Sequence, residues 1–301
     1  MANLIKKIRT SSGDLQIDYN ALANLPTISN PNLLINSDFR NPINQRGSTT
    51  YPESGSWVYC IDRWKYFNTM TVAVQSGTVK LASHGTGQSW FMQEFEMALP
   101  SETYTLSIKV TSVSGTCDMK FENSSGTQVE KVISSTGVTT LTYTGSVGAI
   151  VFELSGSGSQ LTIEWVKLEA GAIATSFFPR PVAEEYMLCR RYFDVISGVR
   201  TIGVEQSGDQ KTITYSIPIT GKMAKAPTVS VRGITTTNST DGICVRDNWC
   251  MMYSGLTFTY AARPGEITVN ATSSSAFDKE SYATQLYISD NFKICLDAEI
   301  Y

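Results

Sequence analysis

Short segments in which apolar and polar residues alternate fill the chain from residue 32 onward. In the segment TYTLSIKV (103–110), every second residue is apolar: Tyr104, Leu106, Ile108 and Val110. Because successive side chains of a strand point to opposite faces, this alternation predicts a β-strand buried on one side. The other such segments before residue 170 are NLLINSDF, TVAVQSGTVKLA, FMQEFEM, VTTLTY, AIVFEL and LTIEWVKL. Clusters of Gly, Ser and Asn separate them, so residues 32–178 are predicted to form a jelly-roll-type β-sandwich.

A single short helix is predicted after this sandwich, in the segment FFPRPVAEEYMLCRRYF. Pro181 suits the first turn of a helix, and Glu184 and Glu185 suit its positive N-terminal end. Arg190 and Arg191 suit the C-terminal end. One face of the helix would carry the apolar residues Val182, Tyr186, Cys189 and Phe193.

Strand patterns resume after the helix and continue to the C-terminus. They are KTITYSIPI, TVSVRGI, GICVRD, LTFTYAA, EITVNA and QLYISDNFKICLDAEIY. Residues 179–301 are therefore predicted to form a second all-β unit, a C-terminal head domain, with its last strand paired inside a sheet. Residues 1–31 have too few apolar residues to bury a core and are predicted to be an attachment arm, with room for a brief helix at 18–25.

The composition agrees with an all-β protein and narrows its partners. The 301 residues include 34 serines and 34 threonines, and only 17% are charged, which suits pleated, half-exposed surfaces. A net charge of −3 gives no electrostatic attraction for nucleic acid. No apolar run reaches the ~20 residues of a membrane span, and the N-terminus lacks the apolar core of a secretory signal. We therefore expect a chain made in the cytoplasm, with no nucleic acid partner and no membrane insertion.

Signals for catalysis or metal binding are weak. The single histidine, His84, lies in the Gly-rich segment SHGTGQ, where an exposed and inert imidazole is the common case. Glu94 and Glu96 share a strand face and could pair for glycoside hydrolysis, but the solvent face of a strand explains both. The six cysteines include no CxxC pair, so the spacing of a zinc site is absent. The sequence predicts a protein that is not an enzyme and has no cofactor and no metal.

Aromatic residues provide the candidate binding sites. In SGSWVYCIDRWKYF, Trp57 and Tyr59 share one strand face, as do Trp64 and Tyr66. Exposed Trp and Tyr rings stack on sugar rings, so these four residues are candidate carbohydrate-binding residues. The alternative is that Trp64 and at least one Tyr belong to the sandwich core.

A second candidate lies in one predicted loop of the head domain. It consists of Arg246, Asp247, Trp249 and Tyr253, with Arg232 and Tyr260 as potential neighbours. A loop Trp flanked by charges suits binding, and packing against a neighbouring subunit would explain it equally well.

Several segments resemble bacteriophage and prophage tail proteins. IDYNALANLPTI (17–28) is similar to a signature near the N-termini of tail-fibre and baseplate proteins. NLLINSDFRNPINQRG (32–47), followed by DRW (62–64), resembles the opening of galactose-binding-like sandwich modules in such proteins. The stretch 166–193 resembles their junction, in which a KLE strand precedes a Pro-rich turn and a helix, and LDAEIY (296–301) resembles their last strand.

This resemblance implies a virion tail component, often a homotrimer. It would have an arm that attaches to other tail or baseplate proteins, a carbohydrate-binding-like sandwich whose framework strands include LINSDF and the KLE strand, and a distal receptor-binding head. In some relatives a structural calcium lies near these strands. Asp38 and Glu169 would be the candidate ligands here, but packing accounts for both, and we expect no metal.

The functional hypothesis is a non-enzymatic phage tail adhesion protein, a tail fibre or receptor-binding protein that recognises a bacterial surface polysaccharide. Two alternatives remain open. One is a stand-alone carbohydrate-binding module or lectin, and the other is a polysaccharide depolymerase, which would need a working pair of carboxylates.

Overall fold

The computed structural model describes residues 7–10, 13–16, 29–219, 221–246, 252–263, 265–275, 277 and 284–299. Within the predicted arm, β1 (Lys7–Thr10) pairs antiparallel with β2 (Gly13–Gln16) in a hairpin that the sequence pattern did not predict. The brief helix predicted at 18–25 lies outside the described residues. The prediction of an all-β fold is confirmed, because antiparallel sheets and one short helix make up the regular structure of the described residues.

The first set of sheets is an eight-stranded antiparallel assembly formed by residues 50–170. Its strands are β3 (Thr50–Tyr51), β4 (Ser54–Tyr59), β5 (Lys65–Asn68), β6 (Met70–Gln75), β7 (Thr78–Ser83), β8 (Gln88–Asn123), β9 (Gly126–Val132) and β10 (Gly137–Ala170).

The two longest strands, β8 and β10, take part in both layers of the sandwich. Shifts of register divide their pairing, so that residues 147–155 of β10 lie between 88–99 and 116–123 of β8. Gly115 lies at one such bend, with φ of +72°, and a Cβ there would meet Ser159. Only glycine adopts this conformation readily and leaves room for that close approach.

The layer that carries the candidate site is here called the groove sheet. It runs in the order β4, β5, 88–99, 147–155, 116–123 and β9. The opposite layer contains β3, β6, β7, 160–170, 104–114 and 137–145. Between the layers, the Trp64 ring stacks on Phe91 at 4.8 Å and meets the edge of Phe39 at 5.2 Å. Aromatic side chains bury large areas, so this stack stabilises the centre of the sandwich.

Two details of the predicted sandwich are corrected. Residues 32–39 (NLLINSDF) form no continuous strand. Backbone hydrogen bonds join Leu33 to Leu168, Ser37 to Val166 and Phe39 to Glu164 of β10, but Asn36, with a φ of +56° and its Oδ1 accepting from the Ile43 amide, interrupts the pairing. Thr105 and Ser107 alternate with the apolar residues of TYTLSIKV, so a strand buried on one side would expose them, but both are buried. The segment after β10 covers this face, since the Thr105 hydroxyl donates to the Gly171 carbonyl at 2.7 Å.

Helix α1 (Val182–Arg190) lies where the sequence predicts it, with Pro181 at its N-cap. Its predicted apolar face is wrong in part, because Val182 is 56% exposed and Tyr186 is 37% exposed, whereas Cys189 is buried. The first turn contacts the sandwich through charge instead. Arg180 donates two hydrogen bonds to the Glu185 carboxylate, which also accepts from the Asn36 amide.

The C-terminal strands form a three-stranded and a six-stranded antiparallel sheet. They are β11 (Phe193–Ile196), β12 (Arg200–Gln206), β13 (Thr212–Pro218), β14 (Thr228–Gly233), β15 (Ile243–Arg246), β16 (Thr257–Arg263), β17 (Glu266–Thr272), β18 (Gln285–Ile288) and β19 (Phe292–Asp297). Strand β19 lies between β11 and β14, with Phe292, Ile294 and Leu296 buried, as its alternation predicts. The strands enclose a second apolar core, while the exact boundaries at 32, 178 and 179 stay predictions. No helix within the described ranges is long and apolar enough to cross a membrane.

Candidate functional site

A groove of about 470 Å³ crosses the outer face of the groove sheet. Six neighbouring strand segments contribute to it, from β4 at one edge to β9 at the other. The lining residues are Trp57, Phe67, Gln88, Trp90, Met92, Val151, Glu153, Lys120, Glu122 and Thr127. Strands lie ~4.8 Å apart, so five spacings give a surface ~24 Å wide, enough for several sugar rings.

The strand register explains why these side chains meet. Phe67 lies opposite Trp90, and Trp90 lies opposite Glu153. Two residues further along β8, Met92 lies opposite Val151. Directly paired residues point to the same face of an antiparallel sheet, so side chains from distant parts of the chain form continuous rows across it.

Three aromatic rings form one end of the groove. Phe67 stacks on Trp90 with ring centroids 5.5 Å apart, and Trp57 stacks on Phe67 at 5.2 Å. Trp57 is 37% exposed, and the other two rings are half-buried. Lys65 Nζ lies 5.2 Å from the centroid of the Trp57 ring and 2.5 Å from Glu94 Oε2. This contact and the stacking restrain Trp57 while leaving part of its ring open.

The centre of the groove is an apolar floor beside a buried carboxylate. Met92, Ala149 and Val151 form the floor. Glu153 is almost fully buried, and its carboxylate accepts hydrogen bonds from Trp90 Nε1 at 2.8 Å, Lys120 Nζ at 2.8 Å, Gln88 Nε2 at 3.0 Å and Ser155 Oγ at 3.3 Å. These donors fix the carboxylate and orient the Trp90 ring.

Three of the four aromatic residues proposed for the sandwich site are corrected. Trp64, Tyr66 and Tyr59 are 0%, 2% and 4% exposed, so none presents a ring face on which a sugar could stack. Trp64 Nε1 donates to the Asn36 carbonyl at 2.8 Å, and the Tyr66 hydroxyl donates to the Pro52 carbonyl at 2.6 Å. The alternative, in which Trp64 and at least one tyrosine belong to the core, is confirmed. Trp57 keeps an open ring.

The proposed head-domain site is only partly described. Asp247 and Trp249 lie outside the described residues. The Arg246 guanidinium lies 4.7 Å from the Tyr287 ring centroid, and Tyr253 meets Phe277 edge-on at 5.6 Å. The potential neighbour Arg232 faces the sandwich, where it donates to the Gln45 and Arg46 carbonyls. Whether this loop binds a glycan stays a prediction.

Local sequence patterns did not indicate four of the groove residues: Phe67, Trp90, Lys120 and Glu153. A usable signal was present in QSWFMQEFEM, where Trp90 and Met92 alternate with the buried Phe91. Trp90 lies on the face of the strand that points away from the core. Its ring is therefore not covered by the core and lines the surface groove. The positions of Lys120 and Glu153 depend on pairing between distant segments, which no local pattern gives.

Other charged residues considered for chemistry have structural partners. Glu94 pairs with Lys65, and Glu96 pairs with Arg191 at 2.7 Å. Asp38 binds Arg40, and Glu169 binds the buried Lys167. The His84 ring lies 3.1 Å from the Thr71 hydroxyl. Among the described residues, no group of three His, Cys, Asp or Glu side chains is arranged to hold a metal ion.

No protein-family model and no curated protein matches the chain. Among solved structures, it is similar to two carbohydrate-binding modules. The CBM1 of BiXyn10A in its apo form is 10% identical, with a TM-score of 0.29, and the match covers 40% of this chain and 96% of that one. A CBM4 is 19% identical, with a TM-score of 0.30 and coverages of 45% and 98%. The agarase AgWH50C is 7% identical, with a TM-score of 0.28 and coverages of 75% and 48%. TM-scores this low do not support an inference about function.

Proposed function

We propose that the chain is a non-enzymatic glycan-binding protein and that the groove sheet holds the glycan. The observation that carries this proposal is the aromatic end of the groove, where Trp57, Phe67 and Trp90 form one stacked group beside an apolar floor. Aromatic and apolar surfaces accept the C–H faces of sugar rings, while a few placed polar groups orient the ligand. Gln88, Glu122 and Thr127 lie in the same groove and supply hydrogen-bonding groups for hydroxyls.

The test is glycan binding by a Trp57→Ala variant. A glycan array screened with the full chain first identifies a ligand, and titration calorimetry then measures its affinity. We expect Trp57→Ala to weaken binding about fivefold to thirtyfold, because a stacked ring contributes on the order of 1–2 kcal/mol. Phe178→Ala is the matched control, since Phe178 is 56% exposed and lies outside the groove. Unchanged affinity in Trp57→Ala would contradict the proposal.

The absence of catalysis is part of the same proposal. The two carboxylates that sequence analysis considered for hydrolysis, Glu94 and Glu96, are each held by a cation. In the groove, Glu153 is already engaged by four donors. Both arrangements suit structural carboxylates better than an acid and base pair. Incubating the chain with a glycan it binds should release no new reducing ends, and the release of sugar ends would instead indicate a depolymerase.

A finer proposal is that this glycan binder is a phage tail component. It would be a tail fibre or receptor-binding protein that is made in the host cytoplasm, joins other tail proteins through its N-terminal arm, and forms a homotrimer on a bacterial surface polysaccharide. The ordered resemblance of residues 17–28, 32–47 and 166–193 supports it, and several copies would strengthen weak single-site binding. Light scattering should then give about three times the 33.0 kDa chain mass. A monomer would favour a stand-alone module or lectin.

A further inference from the structure

Charge is distributed unevenly over the outer face of the groove sheet. Five carboxylates lie on this face around the groove, and they are Glu94, Asp118, Glu122, Glu130 and Glu153. Glu96 lies further along the same strand, where it pairs with Arg191. The described residues of the face include two cations, Lys65 and Lys120. Each lysine is almost fully buried.

Both lysines are already paired with carboxylates. Lys65 Nζ lies 2.5 Å from Glu94. Lys120 Nζ lies 2.8 Å from Glu153 and 3.1 Å from Glu130. Burial alone would lower the pKa of Lys120, but its hydrogen bonds and charge pairing with Glu153 and Glu130 outweigh burial and raise it. Neither ammonium group is therefore available to a charged ligand without breaking an internal ion pair.

The exposed charges on this face are carboxylates. The Glu94 side chain is 37% exposed and that of Glu130 is 59% exposed, while Glu122 is half-buried and lines the groove. Lys131, the next residue on β9, does not offset them, because its Nζ donates to the Thr140 carbonyl of the opposite layer at 2.8 Å. Among the described residues that line the groove, no exposed cation would offset the repulsion of an anionic group that enters it.

The titration of Asp118 agrees with this charge distribution. Its pKa is raised first by burial and then by the nearby charges of Glu130 and Glu153, which act against Lys120. Burial has the largest effect, so the Asp118 carboxylate on this sheet face is harder to ionise than in water.

We propose that the groove selects neutral glycans and excludes chains that carry carboxylate, sulfate or phosphate groups. The proposal rests on the proposed glycan-binding function of the same groove. Its basis is the combination of two exposed carboxylates, Glu94 and Glu130, and the half-buried Glu122 with two buried and fully engaged lysines. Specificity of this kind depends on a repulsive element against the wrong ligand as well as on contacts with the right one.

The experiment uses an array on which each neutral oligosaccharide is paired with its uronate-bearing or sulfated counterpart. The full chain is compared with the double variant Glu122→Gln and Glu130→Gln, which removes two of the exposed charges. The matched control is Glu102→Gln with Glu184→Gln, which removes two exposed charges outside the groove. Trp57→Ala reports whether any binding uses the groove.

We expect the wild type and the control to bind neutral members and to bind the anionic members at least tenfold less. The groove variant should reduce the ratio of neutral to anionic affinity about fivefold to tenfold at low salt, as expected when two nearby charges are removed from a surface site. High salt should narrow the ratio for the wild type as well, because it screens exposed charges.

Three outcomes would overturn the proposal. If anionic members bind as tightly as neutral ones through a Trp57-dependent site, glycan binding stands and charge exclusion fails. If the ratio is the same in the groove variant and the control, the carboxylates do not cause the selectivity. If no oligosaccharide binds in a Trp57-dependent way, the proposed function fails first, and charge exclusion falls with it.

Discussion

Trp57 and Trp64 lie seven residues apart, yet one lines the groove and the other fills the core. The turn before β5 causes the difference. Arg63 has a φ of +71°, and the Trp64 amide donates to the Ile61 carbonyl, so Trp64 points inward just before the strand begins. The alternation in the sequence correctly predicts that Trp64 and Tyr66 share a face. That face points into the core, so the predicted binding role of these two residues is wrong. The groove side of β5 is instead the one that carries Lys65 and Phe67.

These two tryptophans should therefore respond differently to truncation. Trp64→Ala removes a fully buried ring from the centre of a packed stack, and we expect it to lower the free energy of unfolding by about 3–5 kcal/mol. Trp57→Ala loses a partly exposed stacking contact, for which about 0.5–1.5 kcal/mol is expected. Urea denaturation of both variants measures the difference. Equal destabilisation would show that Trp57 belongs to the core.

The strands are the part of the fold that local sequence predicts best. The hairpin of β6 and β7 and the run from β13 to β19 follow alternating segments, because each strand buries one face in a core. Residues 32–39 look equally strand-like, but the left-handed backbone at Asn36 interrupts their pairing with β10, so no continuous strand forms. The bends of β8 and β10, and with them the rows that form the groove, follow from long-range register. No local pattern contains that information.

Helix α1 is stabilised mainly at its first turn. Glu185 lies near the positive N-terminal end, pairs with Arg180 at 2.9 Å and accepts from the Asn36 amide. Glu185→Gln keeps the shape but removes the charge, so we expect a loss of about 1–2 kcal/mol in the free energy of unfolding. Glu184→Gln is the matched control, because its side chain is 59% exposed and its closest ion-pair contact is 3.8 Å.

For that control the expected change is within about 0.5 kcal/mol. The midpoint of urea denaturation compares the two variants directly. A similar change in the free energy of unfolding of both variants would mean that a negative charge at either position in the first turn contributes equally. The contact between Glu185 and Asn36 would then add nothing to stability.

The sandwich and the C-terminal sheets meet through buried charge. Arg63 donates to Glu299 at 2.8 Å, and Arg46 contacts Asp62 at 3.2 Å and Glu299 at 3.5 Å. Arg46 also lies over the Phe193 ring at 4.0 Å. Arg63 and Glu299 are 236 residues apart in sequence, so no motif could have indicated this contact. A buried ion pair contributes less to stability than to the uniqueness of an arrangement, which here is the relative position of the two units.

This buried cluster gives stability a defined dependence on pH. Burial raises the pKa of Asp62 to about 7, although Arg46 and Gln45 oppose that shift. Between its ordinary value near 4 and about 7, the folded protein holds a proton on Asp62 that the unfolded chain has lost. The contribution of Asp62 to stability therefore falls as the pH rises through this window. We expect the melting temperature of the wild type to fall more steeply between pH 4 and pH 7 than that of Asp62→Asn, which has no carboxylate at this position. Parallel curves from pH 4 to pH 8 would contradict this prediction.

Glu299 should determine whether the two units unfold together. Glu299→Ala leaves the Arg63 guanidinium, which is 2% exposed, without its carboxylate, and an uncompensated buried charge costs about 3–5 kcal/mol. We expect calorimetry to show one transition for the wild type and two for the variant, because the contact between the units is then weaker than either core. Asp297→Asn is the control, since Asp297 is more exposed and lies 3.6 Å from Arg46, and its expected cost is about 1 kcal/mol or less. A single unshifted transition in Glu299→Ala would show that apolar contacts alone hold the units together. Those contacts, and not the ion pair, would then fix the position of the groove relative to the C-terminal sheets.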